Sequence, residues 1–212
     1  MDVIAIFIII VKKTLKYVAI KYSNVPDASF LSDRGNVFAE TFKEYGYTCQ
    51  QIVPSAFGSP FCPATKLLIV PSGFADKKYY KLLPALERCA GQIEKFIENG
   101  GIVLAFGAML DDYTYDWLPG KLSYHMQFKT RNVMLIDEKD PAATLIEPGE
   151  KDCDGFFTEY DGNVVMKDDL GRPVLISKKY GDGYAIAAAL HEYPSKKFMD
   201  WACAPERKLI CL

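Results

Sequence analysis

Three loops of this sequence carry residues able to take part in carbonyl chemistry. His191 comes directly after the apolar run 184–190 and precedes Glu192, so a proton acceptor and a carboxylate stand side by side where a strand should end. Residues 99–109 read as a helix end, a buried strand and a tight small-residue turn with Gly107 at its apex. In α/β enzymes that attack carbonyl groups, a turn of this kind lifts a Cys or Ser out of the sheet. Here the apex has no side chain, so the scaffold of a nucleophile is present without the nucleophile. The third loop, Pro71-Ser72-Gly73-Phe74-Ala75-Asp76, follows the apolar run 66–70. Its backbone N–H groups are placed to face an anion or a carbonyl oxygen, and Gly and Pro also suit an ordinary strand-to-helix turn.

Other chemistry-bearing residues are weaker candidates. Glu159-Tyr160-Asp161-Gly162 is compatible with a loop closing over a polar ligand and with a plain Asp-Gly hairpin turn. His125 lies in an alternating strand pattern, away from strand ends, which assigns it a structural role. Cys153 sits between Asp152 and Asp154, whose charges suppress a thiolate, whereas Cys62 before Pro63 is loop-placed and stays open as a substitute nucleophile. The 6 cysteines, Cys49, Cys62, Cys89, Cys153, Cys203 and Cys211, form no CxxC pair and have no His at ligand spacing. This implies reduced thiols of a cytoplasmic protein, with neither metal nor cofactor.

The elements that must position these loops follow from hydrophobic patterning. Run 17–20 reads as a strand; after a polar loop, Val37, Phe38, Thr41, Phe42 and Tyr45 fall at helical spacing, closed by Gly46. Strands are expected over 48–53 and 66–70, then a helix carrying Cys89, Ala90, Ile93, Phe96 and Ile97 that Asn99-Gly100-Gly101 terminates. The strand 102–106 is apolar on both faces, as a parallel strand covered by helices must be. Stretches 121–136 and 156–176 are shorter-patterned and alternating, with Asp-Gly and Gly-Arg-Pro turns that suit antiparallel hairpins. Run 184–190 is a further buried strand, and 195–202 a final helix with Phe198, Met199 and Trp201. The fold expected is α/β, a flavodoxin-like, doubly wound and mainly parallel sheet with an antiparallel hairpin extension.

With 212 residues, 50% of them apolar, the chain buries a sizeable core as one domain, set at 14–205, with 206–212 as a tail. The net charge of −2 is scattered, without a basic stripe, which argues against nucleic acid as a partner. The apolar run 3–11 is shorter than the roughly 20 residues a membrane span needs, and it lacks the flanks of a signal peptide. Residues 1–13 are therefore expected to be an extra strand or an extension, with no membrane contact.

In order, Leu68-Ile69-Val70-Pro71-Ser72-Gly73, then 98–109, then 183–192 resemble the class I glutamine amidotransferase-like superfamily, closest to the domain at the N-terminus of eukaryotic biotin-protein ligases and its free-standing relatives. The resemblance covers about Leu15 to Ala202. It implies that Ser72-Gly73 matches the Gly-Gly of the family's oxyanion loop and that Ala105-Phe106-Gly107-Ala108-Met109 matches Gly-Ile-Cys-Ala-Gly, so Gly107 stands at the nucleophile. Tyr160-Asp161-Gly162 matches Tyr-Asn-Gly, and His191 matches the family histidine, although Glu192 is adjacent where the family acid follows by two. The implied function is that of a catalytically inactive member, with Gly107, His191 and Glu192 as vestigial catalytic positions. A small polar molecule or a partner protein would bind at Ser72, Gly73, Phe74, Gly107, Ala108, Tyr160, Asp161 and His191, and Gly107→Cys would give a readily alkylated thiol. The alternative is a hydrolase or amidotransferase in which His191 activates Cys62, Ser72 or water. A third is a homo-oligomer joined through the aromatic segment 113–117.

Overall fold

The computed structural model describes residues 25–35 and 37–212. The strand expected at 17–20 and the boundary at residue 13 lie outside that range. The elements run β1 (Ala28–Leu31), α1 (Ala39–Glu44), β2 (Cys49–Ile52), β3 (Leu67–Val70), α2 (Leu83–Arg88), α3 (Ala90–Glu98) and β4 (Ile102–Phe106). They continue with β5 (Asp112–Thr114), β6 (Leu122–Leu135), a 3-10 turn (Pro141–Thr144), β7 (Gly149–Tyr160), β8 (Asn163–Lys167), β9 (Pro173–Tyr180), β10 (Gly183–Ala188) and α4 (Lys196–Ala202). β1 lies inside the stretch expected to be a polar loop. Its four residues Ala-Ser-Phe-Leu are all buried, but the run is too short and too mixed to show a period.

The strands form a 10-stranded sheet in the order β2-β1-β3-β4-β10-β9-β8-β6-β5, with β7 paired to β6. From β2 to β10 every neighbour is parallel. From β10 onward every pair is antiparallel. The sheet is therefore mixed, where a mainly parallel one was expected. The difference comes from β6 and β7, which run for 14 and 12 residues as one long bent pair instead of short hairpins. Register shifts at Ser123/Tyr124 and Met126/Lys129 let β6 turn from β5 and β7 onto β8.

Burial explains why the central strands are apolar throughout. Leu68, Val70, Val103, Ala105, Ala185 and Ala187 join Leu86 of α2 and Ile93, Phe96 and Ile97 of α3 on one face. Their alternates Leu67, Ile69, Ile102, Leu104, Ile186 and Ala188 join Phe42 of α1 and Phe198 and Met199 of α4 on the other. With helices on both faces, neither set of side chains meets water. The helix ends follow their sequence signals: Gly100 adopts φ +111 after α3, and Ser195 caps α4 by accepting the Phe198 N–H at 3.1 Å.

Residues 206–212 are part of the domain rather than a loose tail. Thr65 and Ile210 exchange backbone hydrogen bonds of 3.0 and 3.1 Å, Leu212 is buried, and the Arg207 guanidinium lies 4.4 Å from the Trp201 ring centre. The strip is short and mixed, so periodicity gave no signal of it. The aromatic segment also differs from its expected role at an interface. Tyr115 and Trp117 are buried, ringed by Phe74 and Phe157, and so belong to this chain's own core.

The turn between β8 and β9 gathers around Asp168, which accepts the N–H groups of Leu170 and Arg172 at 3.0 and 2.8 Å and two guanidinium N–H groups of Arg172 at 2.8 and 2.6 Å. Burial works to raise the Asp168 carboxyl, but the Arg172 side chain and these backbone donors outweigh it and hold it below the usual range. The folded chain thus takes up this proton less readily than the unfolded chain. The stabilisation is complete above the unfolded value of about 3.9 and is lost as pH falls through the lower folded value. Urea unfolding at about pH 6 and pH 3 should show a smaller acid loss for Asp168→Asn than for the unaltered protein. Equal losses would assign the acid sensitivity to other carboxylates.

Candidate functional site

The carboxyl ends of β3, β4 and β10 lie side by side, as the register Val70↔Ala105 and Ala105↔Ala187 requires. Ser72, Gly107 and His191 therefore meet at one edge, as the sequence implied. The residue that joins them comes from the other half of the chain. β7 runs past the end of β10, where the Asp154 N–H donates to Ala189 O at 3.0 Å and the His191 N–H to Asp152 O at 2.9 Å. This pairing buries Asp154, which is 1% exposed, beneath the loop edge.

Ser72 Oγ donates a short hydrogen bond to Asp154 Oδ2. His191 Nδ1 stands 3.3 Å from Asp154 Oδ1. That approach is within ion-pair range but poorly aligned, and Oδ1 is buried without a completed hydrogen bond. Asp154 is thus the middle member of a Ser72–Asp154–His191 chain. The serine hydroxyl is held by the carboxylate and not by the imidazole, so His191 has no nucleophile to activate there.

Gly107 follows β4, but no helix begins after it; the chain continues through a loop into β5. The left-handed residue of this loop is Met109, at φ 55. A Cβ added at Gly107 would lie 3.0 Å from both Cβ and Oδ2 of Asp154 and 3.2 Å from the Tyr124 hydroxyl. The Asp154 side chain therefore crowds a side chain at residue 107 from its first carbon and would have to give by a few tenths of an ångström. The expected oxyanion donor is also engaged: Gly73, at φ +78, gives its N–H to Gly107 O at 2.8 Å.

The remaining candidates separate cleanly. Phe74 is 0% exposed and packs its ring 5.4–5.5 Å from Tyr113, Tyr115 and Trp117. Ala108 is likewise buried in that core, so neither reaches a ligand. Tyr160 and Asp161 lie at the β7–β8 turn, where Asp161 pairs with Lys178 Nζ at 2.6 Å. Lys178 sits opposite Ala185, near the start of β10, so this turn is at the far end from His191. Asp161-Gly162 joins β7 to β8 without closing the expected hairpin, because β7 pairs with β6 whereas β8 pairs with β9 and β6. Glu192 is 3.9 Å from Lys151 Nζ and is not the group facing the His191 Nδ1. Cys62 is packed in the core with Phe57 and Cys89, and burial pushes its thiol up. Cys153 is pushed up to about 11, by burial first and then by the charges of Asp168 and Asp154. His125 bonds Asp112 at 2.9 Å. Among the described residues no group of three or more His, Cys, Asp or Glu is placed to hold a metal ion, and no helix is long and apolar enough to cross a membrane.

A cleft of about 260 Å³ opens over this edge. Ser72, His191, Glu192 and the hydroxyls of Tyr80 and Tyr193 supply its polar groups, and Phe38, Phe106 and the Tyr193 ring its main walls. Phe38 lies edge-on to Tyr193 at 5.3 Å and stacks on Phe106 at 6.3 Å. Asp154 is the residue that sequence reasoning missed. The only signal was the pattern Asp152-Cys153-Asp154-Gly155, an acid in a strand otherwise heading into the core.

No protein-family model and no curated protein matches the chain. Among solved structures, a glutamine amidotransferase from Thermotoga maritima superposes with a TM-score of 0.50 at 12% identity, covering 78% of this chain and 76% of that one. A cytoplasmic protein from Salmonella typhimurium LT2 gives 0.49 at 11% identity, over 82% of this chain and 93% of its own. A beta-galactosidase from Bacillus circulans gives 0.45 at 14% identity over 82% of this chain, which spans 29% of that enzyme's length. The chain thus has a glutamine amidotransferase-like α/β fold on a mixed sheet.

Proposed function

We propose that this chain is a catalytically inactive amidotransferase-like domain that binds a small polar ligand or a partner protein in the cleft over Ser72, Gly107 and His191. The observation that carries the proposal is the Asp154 carboxylate, 3.0 Å from where a side chain at residue 107 would start. A negative charge in the nucleophile's space, together with a Gly73 N–H already given to Gly107 O, opposes both attack on a carbonyl and stabilisation of the resulting oxyanion. Nucleophile, base and orienting acid act as a unit, and loss of the nucleophile alone removes on the order of a million-fold in rate. The strand order β2-β1-β3-β4-β10 supports a flavodoxin-like parallel half. The nearer kinship with the biotin-protein ligase N-terminal domain rests on the loop motifs.

The expected result is no ammonia release from glutamine or simple amides by the purified protein. A turnover that His191→Ala abolishes would overturn the proposal. It would favour the second reading, in which the Asp154–His191 contact serves a base that activates water.

A further inference from the structure

We infer that the occupant of the His191 cleft is a compact, uncharged polyhydroxylated ring of monosaccharide size, bound through its hydroxyl protons. This rests on the reading of the cleft as a ligand site. A carboxylate only accepts hydrogen bonds, so the His191 nitrogen facing Asp154, Nδ1, is the one that carries the proton in the neutral ring. Nε2 is then the acceptor, on a side chain that is 62% exposed. Glu192 lines the same cleft and adds carboxylate oxygens, with Lys151 3.9 Å away to balance its charge. The groups that would greet an anion are spent: the Ser72 hydroxyl proton lies on Asp154, and the Gly73 N–H lies on Gly107 O. Beside the Tyr80 and Tyr193 hydroxyls, which both donate and accept, the cleft therefore offers mainly acceptors.

Size and walls narrow the choice. At about 260 Å³ the space falls below the 300–1,000 Å³ usual for drug-sized ligands. Its Phe38, Phe106 and Tyr193 surfaces suit the C–H face of a ring, while neighbouring hydroxyls on that ring donate to Nε2 and Glu192. Asp154 Oδ1, buried with no completed hydrogen bond, gives the site a reason to respond to its ligand. A hydroxyl that draws the imidazole into line completes the Nδ1–H bond to that oxygen.

The test is calorimetric titration and thermal shift of the full chain at about pH 8, with each ligand up to about 100 mM. The probes are glucose, galactose and myo-inositol, their charged counterparts glucuronate, glucose 6-phosphate and glucosamine, and the amides glutamine and acetamide. Saturable binding of a neutral ring is expected, with its charged counterparts about 10-fold weaker or worse. His191→Ala and Glu192→Ala should each weaken the neutral ring by about 10-fold, one hydrogen bond's worth. His191→Gln, which keeps an acceptor, should recover part of that loss. Preference for an acid, an amine or an amide, undiminished binding by His191→Ala, or no ring binding at the highest concentration would each overturn the inference. None of these touches the proposal of inactivity, which ammonia release decides separately.

Discussion

Gly107→Cys lowers the free energy of unfolding by about 1–3 kcal/mol and yields a thiol that alkylates more slowly than the exposed Cys211. This reverses the expectation drawn from the sequence, in which an open apex would leave the new sulfur free to react. The space is tight: the first carbon of the new side chain would meet Asp154 at 3.0 Å, and relief needs a buried carboxylate that Ser72 holds to give by a few tenths of an ångström. The carboxylate would also raise the new thiol's pKa, and one unit of such a shift removes about 90% of the thiolate near neutral pH. Adding Asp154→Ala should recover stability and speed alkylation together. Denaturant titration and timed iodoacetamide labelling of the two variants decide the matter. Fast labelling of the single variant with no stability loss would mean that Asp154 does not crowd residue 107.

The second large effect is expected at Phe74, which the sequence placed among ligand-binding positions. Phe74→Ala should cost about 3–5 kcal/mol, a fall in melting temperature of roughly 6–20 °C for a chain of this size, because it empties the centre of an aromatic cluster. Tyr113, Tyr115 and Trp117 all pack their rings on Phe74 within 5.5 Å. The same residue follows Ser72-Gly73, so what remains folded should bind any cleft ligand less well through displacement of that loop. Differential scanning calorimetry provides the check. A shift under about 2 °C would remove Phe74 from the core and restore it as a candidate contact.

What could be read from the sequence follows from how each element is buried. The strands Leu67–Val70 and Ile102–Phe106 were legible because helices cover both of their faces, which demands unbroken apolar runs. The helix Ala90–Glu98 announced itself through one apolar stripe and a glycine stop. Ser72, Gly107 and His191 were legible as strand-end residues, since strand ends in such sheets converge. Asp154 was not, because its position depends on a crossing between β7 and the end of β10, and sequence spacing does not encode that crossing. Phe74 was misplaced for a related reason: it follows a loop expected to face solvent, but the fold turns that position inward beneath residues 113–117.

The bond from the Gly73 N–H to Gly107 O joins main chain to main chain, so a side-chain replacement leaves its donor and acceptor in place, and Gly73→Pro, which deletes the N–H, removes the oxyanion donor with it. A laboratory selection for amide cleavage that samples point mutants alone should stall on this scaffold. Success would need loops of altered length, so insertions and deletions after Val70 and Phe106 are the lineages to watch.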